Sequence, residues 1–204
     1  MIDIIKIACI SFNEISHEMF IELNDFIFID PKIPDFNKEY LITDRLTIST
    51  NDSREKIISL ITRHSDKSEQ ALLALYAFRQ MDKIDWLPFI KASVERNPVC
   101  FTELEGKTAE EVLNILQTLP DDSIYDGKRL ALPDEIWNFK RGDGIEKALL
   151  LADFLLHNDS SSIVSIEIDL KKVVLTSDGN SFNFISHKNL KKSIHISEKH
   201  YEII

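Results

Sequence analysis

The chain has 204 residues, 44% of them hydrophobic and 28% charged, and a net charge of −10. That composition belongs to a globular chain able to bury a sizeable core, not to a disordered one. The acidic balance argues against a nucleic acid or an anionic membrane surface as partner, because phosphate binding needs a basic field. No apolar run approaches the roughly 18 residues of a membrane span.

Cys9 and Cys100 make neither a disulfide framework nor a zinc site by spacing, and Cys9, within the apolar IKIACISF, reads as a packed core residue. The N-terminal MIDIIKIACISF has an early Asp, no basic segment and no small-residue cleavage site, so it reads as a strand and the default location is cytoplasmic. From Lys171 onward six Lys face three acids, Asp178, Glu198 and Glu202, a local excess of +3 that leaves −13 on the first 170 residues. This basic tail reads as a solvated face or as a docking patch for an acidic partner.

In chain order, the first fifty residues look extended. IIKIACISF, FIELNDFIFID and EYLITDRLTIST are rich in Ile, Phe and Thr with partial alternation, and are taken as an N-terminal β segment over 1–50. Residues 51–204 follow as a helical region and a β meander, with one compact domain expected overall. In SREKIISLITRH, Ile57, Ile58, Leu60 and Ile61 fall on one helical stripe, and Asp52 with Glu55 has capping-box spacing. The same spacing recurs at Asp66 and Glu69, Thr108 and Glu111, and Asp143 and Glu146. The unbroken run ALLALYAF, 71–78, predicts a second helix covered on most sides. A third runs from about Trp86 to Arg96, where Asn97-Pro98 ends it. A fourth, EEVLNILQTL, stops at Pro120.

After Pro120 more than twenty residues, PDDSIYDGKRLALPDEIWNFKRGD, show no clear period; such connections are functional or packed by their own side chains. Trp137 and Phe139 are its anchors, either pinning the loop to the core or facing a ligand. The fifth helix is capped by Asp143, and nine of the twelve residues from Ile145 to Leu156 are apolar, so it is central. SIVSIEID, KKVVLT and SFNFIS then read as strands, the last two joined by Ser-Asp-Gly-Asn, where Gly179 accepts positive φ. The fold class is α+β: N-terminal strands, a helical middle, one buried helix and an antiparallel meander.

The motifs of common chemistries are missing. Five Gly, at 106, 127, 142, 144 and 179, form no phosphate-cradling loop, and there is neither a G-x-S-x-G elbow nor an H-E-x-x-H pair. The six His, at 17, 64, 157, 187, 195 and 200, have no helical ligand spacing with carboxylates, so neither a metal nor a cofactor is expected. Arg141-Gly142-Asp143 spells an adhesion tripeptide, but Asp143 is needed as a cap and Gly142 turns the chain into it.

RGDGIEKALLLADFLL resembles the core motif of transglutaminase-like domains, the papain-related superfamily, in which a G-D-C segment opens a buried helix. The matching residues are Arg141, Gly142, Asp143, Lys147, Ala148, Leu150, Leu151, Ala152 and Leu155, and VVLTSDGNSFNFIS resembles the family's strand pair. The resemblance places a nucleophilic Cys at the position of Gly144, which has no side chain. It places the general base where Lys171–Val174 read KKVV, and the residue orienting that base near Phe184-Ile185-Ser186-His187. All three roles are empty, and losing one member of such a unit removes most of the catalysis.

The resemblance therefore implies a non-catalytic transglutaminase-like domain that binds or scaffolds a protein or peptide. Trp137, Phe139, Arg141, Asp143 and Gly144 are the candidate binding residues, and the helix start at Gly144 offers backbone N–H groups for an anion or carboxylate. Two alternatives stand beside it. One is a cysteine hydrolase or acyl transferase using Cys100 with His187 or His195. The other is an acidic interaction module unrelated to the superfamily, binding a basic partner.

Overall fold

The computed structural model describes residue 21, residues 46–95, 100–197 and 200–204. The chain divides into two units, Met1–Ile42 and Thr43–Ile204. The strands expected over the first fifty residues lie almost wholly outside the described residues. Where the two overlap they disagree: Ile21 is helical, 46–49 carry no strand, and a turn occupies 50 and 51. Short apolar runs fit either period, and partial alternation does not separate them.

In the second unit seven helices are described: α1 (Arg54–His64), α2 (Glu69–Phe78), α3 (Leu87–Glu95), α4 (Cys100–Leu104), α5 (Ala109–Thr118), α6 (Pro133–Phe139) and α7 (Gly144–Asn158). Three strands follow, β1 (Val164–Ser177), β2 (Asn180–Ser197) and β3 (His200–Ile203), antiparallel and in the spatial order β1-β2-β3. The architecture is α+β.

Local chemistry sets the helix starts. Thr108 and Glu111 form the reciprocal box that opens α5, with bonds of 2.7 and 3.2 Å. The other two serine-bearing starts sit one or two residues later than the acidic pattern suggests. Ser53 Oγ accepts from Lys56 N and Ser68 Oγ from Ala71 N, each at 3.3 Å, while Asp52 instead pairs with the Lys56 ammonium. A serine hydroxyl caps as well as a carboxylate, so the nearer of two acceptors wins.

Two further departures are informative. Residues 133–139, read as irregular, are the short helix α6, with Pro133 in its first turn and the Glu135 carboxylate accepting from Leu132 N at 2.8 Å. The apolar run of α2 is not covered on most sides: Ala71 and Leu75 are its buried residues, and Leu73 is 58% exposed. This helix packs along α1, and isolated apolar side chains at a surface are ordinary.

α7 is the centre of the unit. It packs against β1, β2, α3, α5 and α6, and twelve of its fifteen residues are buried. Ile145, Leu149, Leu150 and Leu151 are at most 1% exposed and meet Val164, Ile166, Val173, Leu175 and Ile194 of the sheet within one apolar cluster. The two strands expected before the hairpin are one continuous strand, β1. Asp178 (φ 49°) and Gly179 (φ 81°) make the two-residue turn between paired Ser177 and Asn180. Between the pairs Leu170↔Leu190 and Lys172↔Ile185 the register breaks: one residue of β1 faces four of β2, Ser186 to Asn189. Leu170 and Asn189 carry positive φ at its edges.

Candidate functional site

The β2 excursion places Ser186, His187 and Lys188 at the N-terminus of α7. Asp143 is the N-cap, 1% exposed, and its carboxylate accepts three hydrogen bonds. Oδ1 accepts from Ile145 N (3.1 Å) and from Ser186 Oγ (2.7 Å), and Oδ2 accepts from His187 N (2.6 Å). Asp143 N donates to Glu146 Oε2 at 2.8 Å, closing the capping box. The cap is thus a joint between the helix and the sheet.

Glu146, fully buried, also accepts from Ser123 Oγ (2.6 Å) and Ala131 N (2.7 Å). Burial raises its pKa, against those bonds and the nearby Lys188 ammonium. Lys188, 6% exposed, donates through Nζ to the Tyr125 carbonyl at 2.6 Å, and burial lowers its pKa. Lys147, 1% exposed, donates to Leu119 O (2.7 Å) and pairs with Asp121 at 2.5 Å. The connection from Asp121 to Ala131 is therefore packed by its own side chains. Tyr125 Oη donates to Glu135 at 2.5 Å, and the Arg129 guanidinium lies 4.2 Å from the Tyr125 ring centre.

Gly144 lies directly under β2. A Cβ built on it would fall 2.3 Å from Ile185 O, 2.6 Å from Ile185 C and 2.9 Å from Ile185 N. Backbone closes the space over the helix start. The anion cradle expected there is correspondingly filled: Ile145 N is satisfied by Asp143, and Asp143 and Gly144 are both buried.

Of the five candidate binding residues, Trp137, Asp143 and Gly144 are buried and Phe139 and Arg141 reach solvent. The Trp137 indole, 7% exposed, packs in the core with its Nε1 unpartnered and the Lys140 ammonium 3.4 Å from its ring centre. Phe139 is 62% exposed. Arg141 pairs with Asp122 and donates to its carbonyl at 3.2 Å.

Cys100 opens a helix, the five-residue α4, a turn that the sequence reading did not include. Its amide donates to Asp134 Oδ1 at 2.9 Å. The thiol is 1% exposed, and burial, followed by the Asp134 and Asp153 carboxyls, pushes its pKa far above the ordinary thiol value. The imidazoles proposed as its base are engaged or turned elsewhere. His195 Nδ1 lies 2.9 Å from Ser165 Oγ and Nε2 lies 3.0 Å from Ser193 Oγ, while the His187 side chain is exposed. Among the described residues no three His, Cys, Asp or Glu side chains are grouped to hold a metal, and no helix is long and apolar enough to cross a membrane.

Sequence reasoning noted Lys147 only as a motif match and passed over Lys188 and Asp153. Lys147 and Asp153 are charged residues inside the apolar stretch of α7, the one available signal; Lys188 stands in a polar stretch of β2 that gives none, and the partners of both lysines lie more than twenty residues away. Asp153, 1% exposed, has an Oδ2 without a hydrogen-bond partner, and burial raises its pKa to about 8. The chain matches no family model, and no curated protein or solved structure is significantly similar to it.

Proposed function

We propose that the chain is a non-catalytic transglutaminase-like module that binds or scaffolds a protein or peptide. The observation that carries this reading is the position of Gly144. It opens the buried helix at the point where β2 crosses it, and Ile185, which presses on it, pairs with Lys172 of the KKVV segment. The three segments that resemble the family's nucleophile, base and orienting positions thus meet at one place, where the nucleophile position is a glycine and the KKVV segment carries no imidazole. Contact with a partner falls to residues that reach solvent beside this joint, Phe139 and Arg141.

The test is turnover of an activated ester and of a peptide amide by the wild-type chain and by Gly144→Cys. Neither is expected to form a thioester or release product, since no imidazole stands at Lys171–Val174 and the helix dipole alone supplies a fraction of what a paired His does. Turnover abolished by alkylation would refute the reading. Loss of that turnover in Cys100→Ala would assign it to Cys100, and its appearance with Gly144→Cys would mean a surviving base.

A further inference from the structure

The opposite end of α7 bears a different feature. A half-open cleft of about 470 Å3 lies between the C-terminal ends of α3 and α7, with β2 and β3 on its far side. Val94, Leu156 and Ile196 form its apolar surface, and Glu95, His157, Ser160 and Tyr201 supply the polar atoms. α7 is fifteen residues long, which at 1.5 Å per residue puts the cleft roughly 20 Å from Gly144.

α7 ends at this cleft, and a helix C-terminus carries a partial negative charge of up to about half an electron; His157 is the one basic residue in its last turn. Glu95, the last described residue of α3, is exposed. It makes no ion pair among the described residues. Its hydrogen bond comes from Tyr201 Oη at 3.0 Å, and the hydroxyl keeps lone pairs free. Lys91 lies 5.6 Å from the Tyr201 ring centre, over the ring and not on the carboxylate. The described lining holds one carboxylate and no lysine or arginine.

We propose that this cleft binds a small organic cation, an alkylammonium with a short apolar tail. The ammonium donates to the Glu95 carboxylate and to Tyr201 Oη, within the field of the α7 C-terminus, and the tail lies on Val94, Leu156 and Ile196. A cation gains a charge-assisted hydrogen bond to Glu95 that a neutral ligand lacks, and an anion would face the carboxylate. The proposal is independent of any reading of the Gly144 end.

Amide-resolved NMR titration of the full chain at neutral pH tests it, with n-butylammonium as probe and n-butanol and butyrate as neutral and anionic counterparts. For so few heavy atoms the dissociation constant is expected on the order of millimolar. n-Butylammonium should give saturable shifts centred on Glu95, His157, Ile196 and Tyr201, n-butanol should bind about tenfold more weakly, and butyrate should not bind. Glu95→Gln, a surface change that preserves shape, should weaken n-butylammonium by about tenfold. Equal binding of n-butanol, undiminished binding to Glu95→Gln in a folded variant, shifts scattered without saturation, or no shift at all would each overturn the proposal.

Discussion

Adding one methyl group at Gly144 asks whether the joint between helix and sheet is as close as described. In Gly144→Ala the new Cβ would stand 2.3 Å from Ile185 O and 2.6 Å from Ile185 C, against an ordinary contact of about 3.5 Å or more. More than about 1 Å of movement is needed, and it must come from backbone. That backbone is held by the pairing of Ile185 with Lys172 and by the Ser186 and His187 bonds to Asp143. The cost belongs at the upper end of overpacking, about 3 kcal/mol. Replacing Gly in a helix returns up to about 1 kcal/mol, through the conformational freedom lost from the unfolded chain. The net loss is about 2 kcal/mol, which for a chain of this size lowers Tm by roughly 4 to 8 °C. Far-UV circular dichroism during thermal and urea unfolding measures it. Gly142→Ala is the internal comparison, because its Cβ would meet a side chain, Ile136 Cγ2 at 2.9 Å, and not backbone. A Gly144→Ala variant that melts at or above wild type, or above Gly142→Ala, would refute the reasoning.

Two other substitutions probe buried carboxyls. Asp143→Ala should cost about 3 kcal/mol by urea unfolding: about 1 for the cap, and the remainder for leaving Ser186 Oγ and His187 N inside without an acceptor; a loss of 1 or less, on the same scale, would mean that the bonds to β2 contribute nothing. For Asp153 the sign follows from a folded-state pKa of about 8 against an ordinary 3.8. The folded chain holds the proton more tightly than the unfolded one, so stability is greatest at low pH, declines between about pH 4 and 8, and is level above, a span on the order of 5 kcal/mol. Asp153→Asn should abolish that part of the decline and exceed wild type in stability at pH 8, read from denaturation midpoints across the range; parallel pH profiles for the two proteins would contradict it.

Local signals were legible where a structure is decided locally. The Thr108 and Asp143 boxes, the Asp178-Gly179 turn and the apolar face of α7 each depend on residues within a few positions. The starts at Ser53 and Ser68 were displaced because two acceptors compete within a residue or two, and spacing alone does not rank them. α6 was missed because seven residues hold too few turns to show a period, although Pro133 and Glu135 mark its beginning. The partners that let Lys147, Lys188 and Glu146 be buried had no local signature, since Leu119, Asp121, Ser123, Tyr125 and Ala131 lie well away along the chain. Gly144 drew notice in the sequence as an empty nucleophile position. Its packing reason, the carbonyl of a residue 41 positions later, was not readable.

The break in β1 decides which side of the sheet its second half shows to the helix. Before it the deeply buried positions are even-numbered, Val164, Ile166 and Ile168; after it they are odd-numbered, Val173, Leu175 and Ser177. A strand alternates with a period of two, so uninterrupted pleating would have turned Val173 and Leu175 outward. The positive φ at Leu170 lets the chain change parity without changing direction. Length is therefore constrained here more tightly than residue identity: removing Lys171 would reverse the facing of every residue from there to the turn, whereas replacing it alters one exposed side chain.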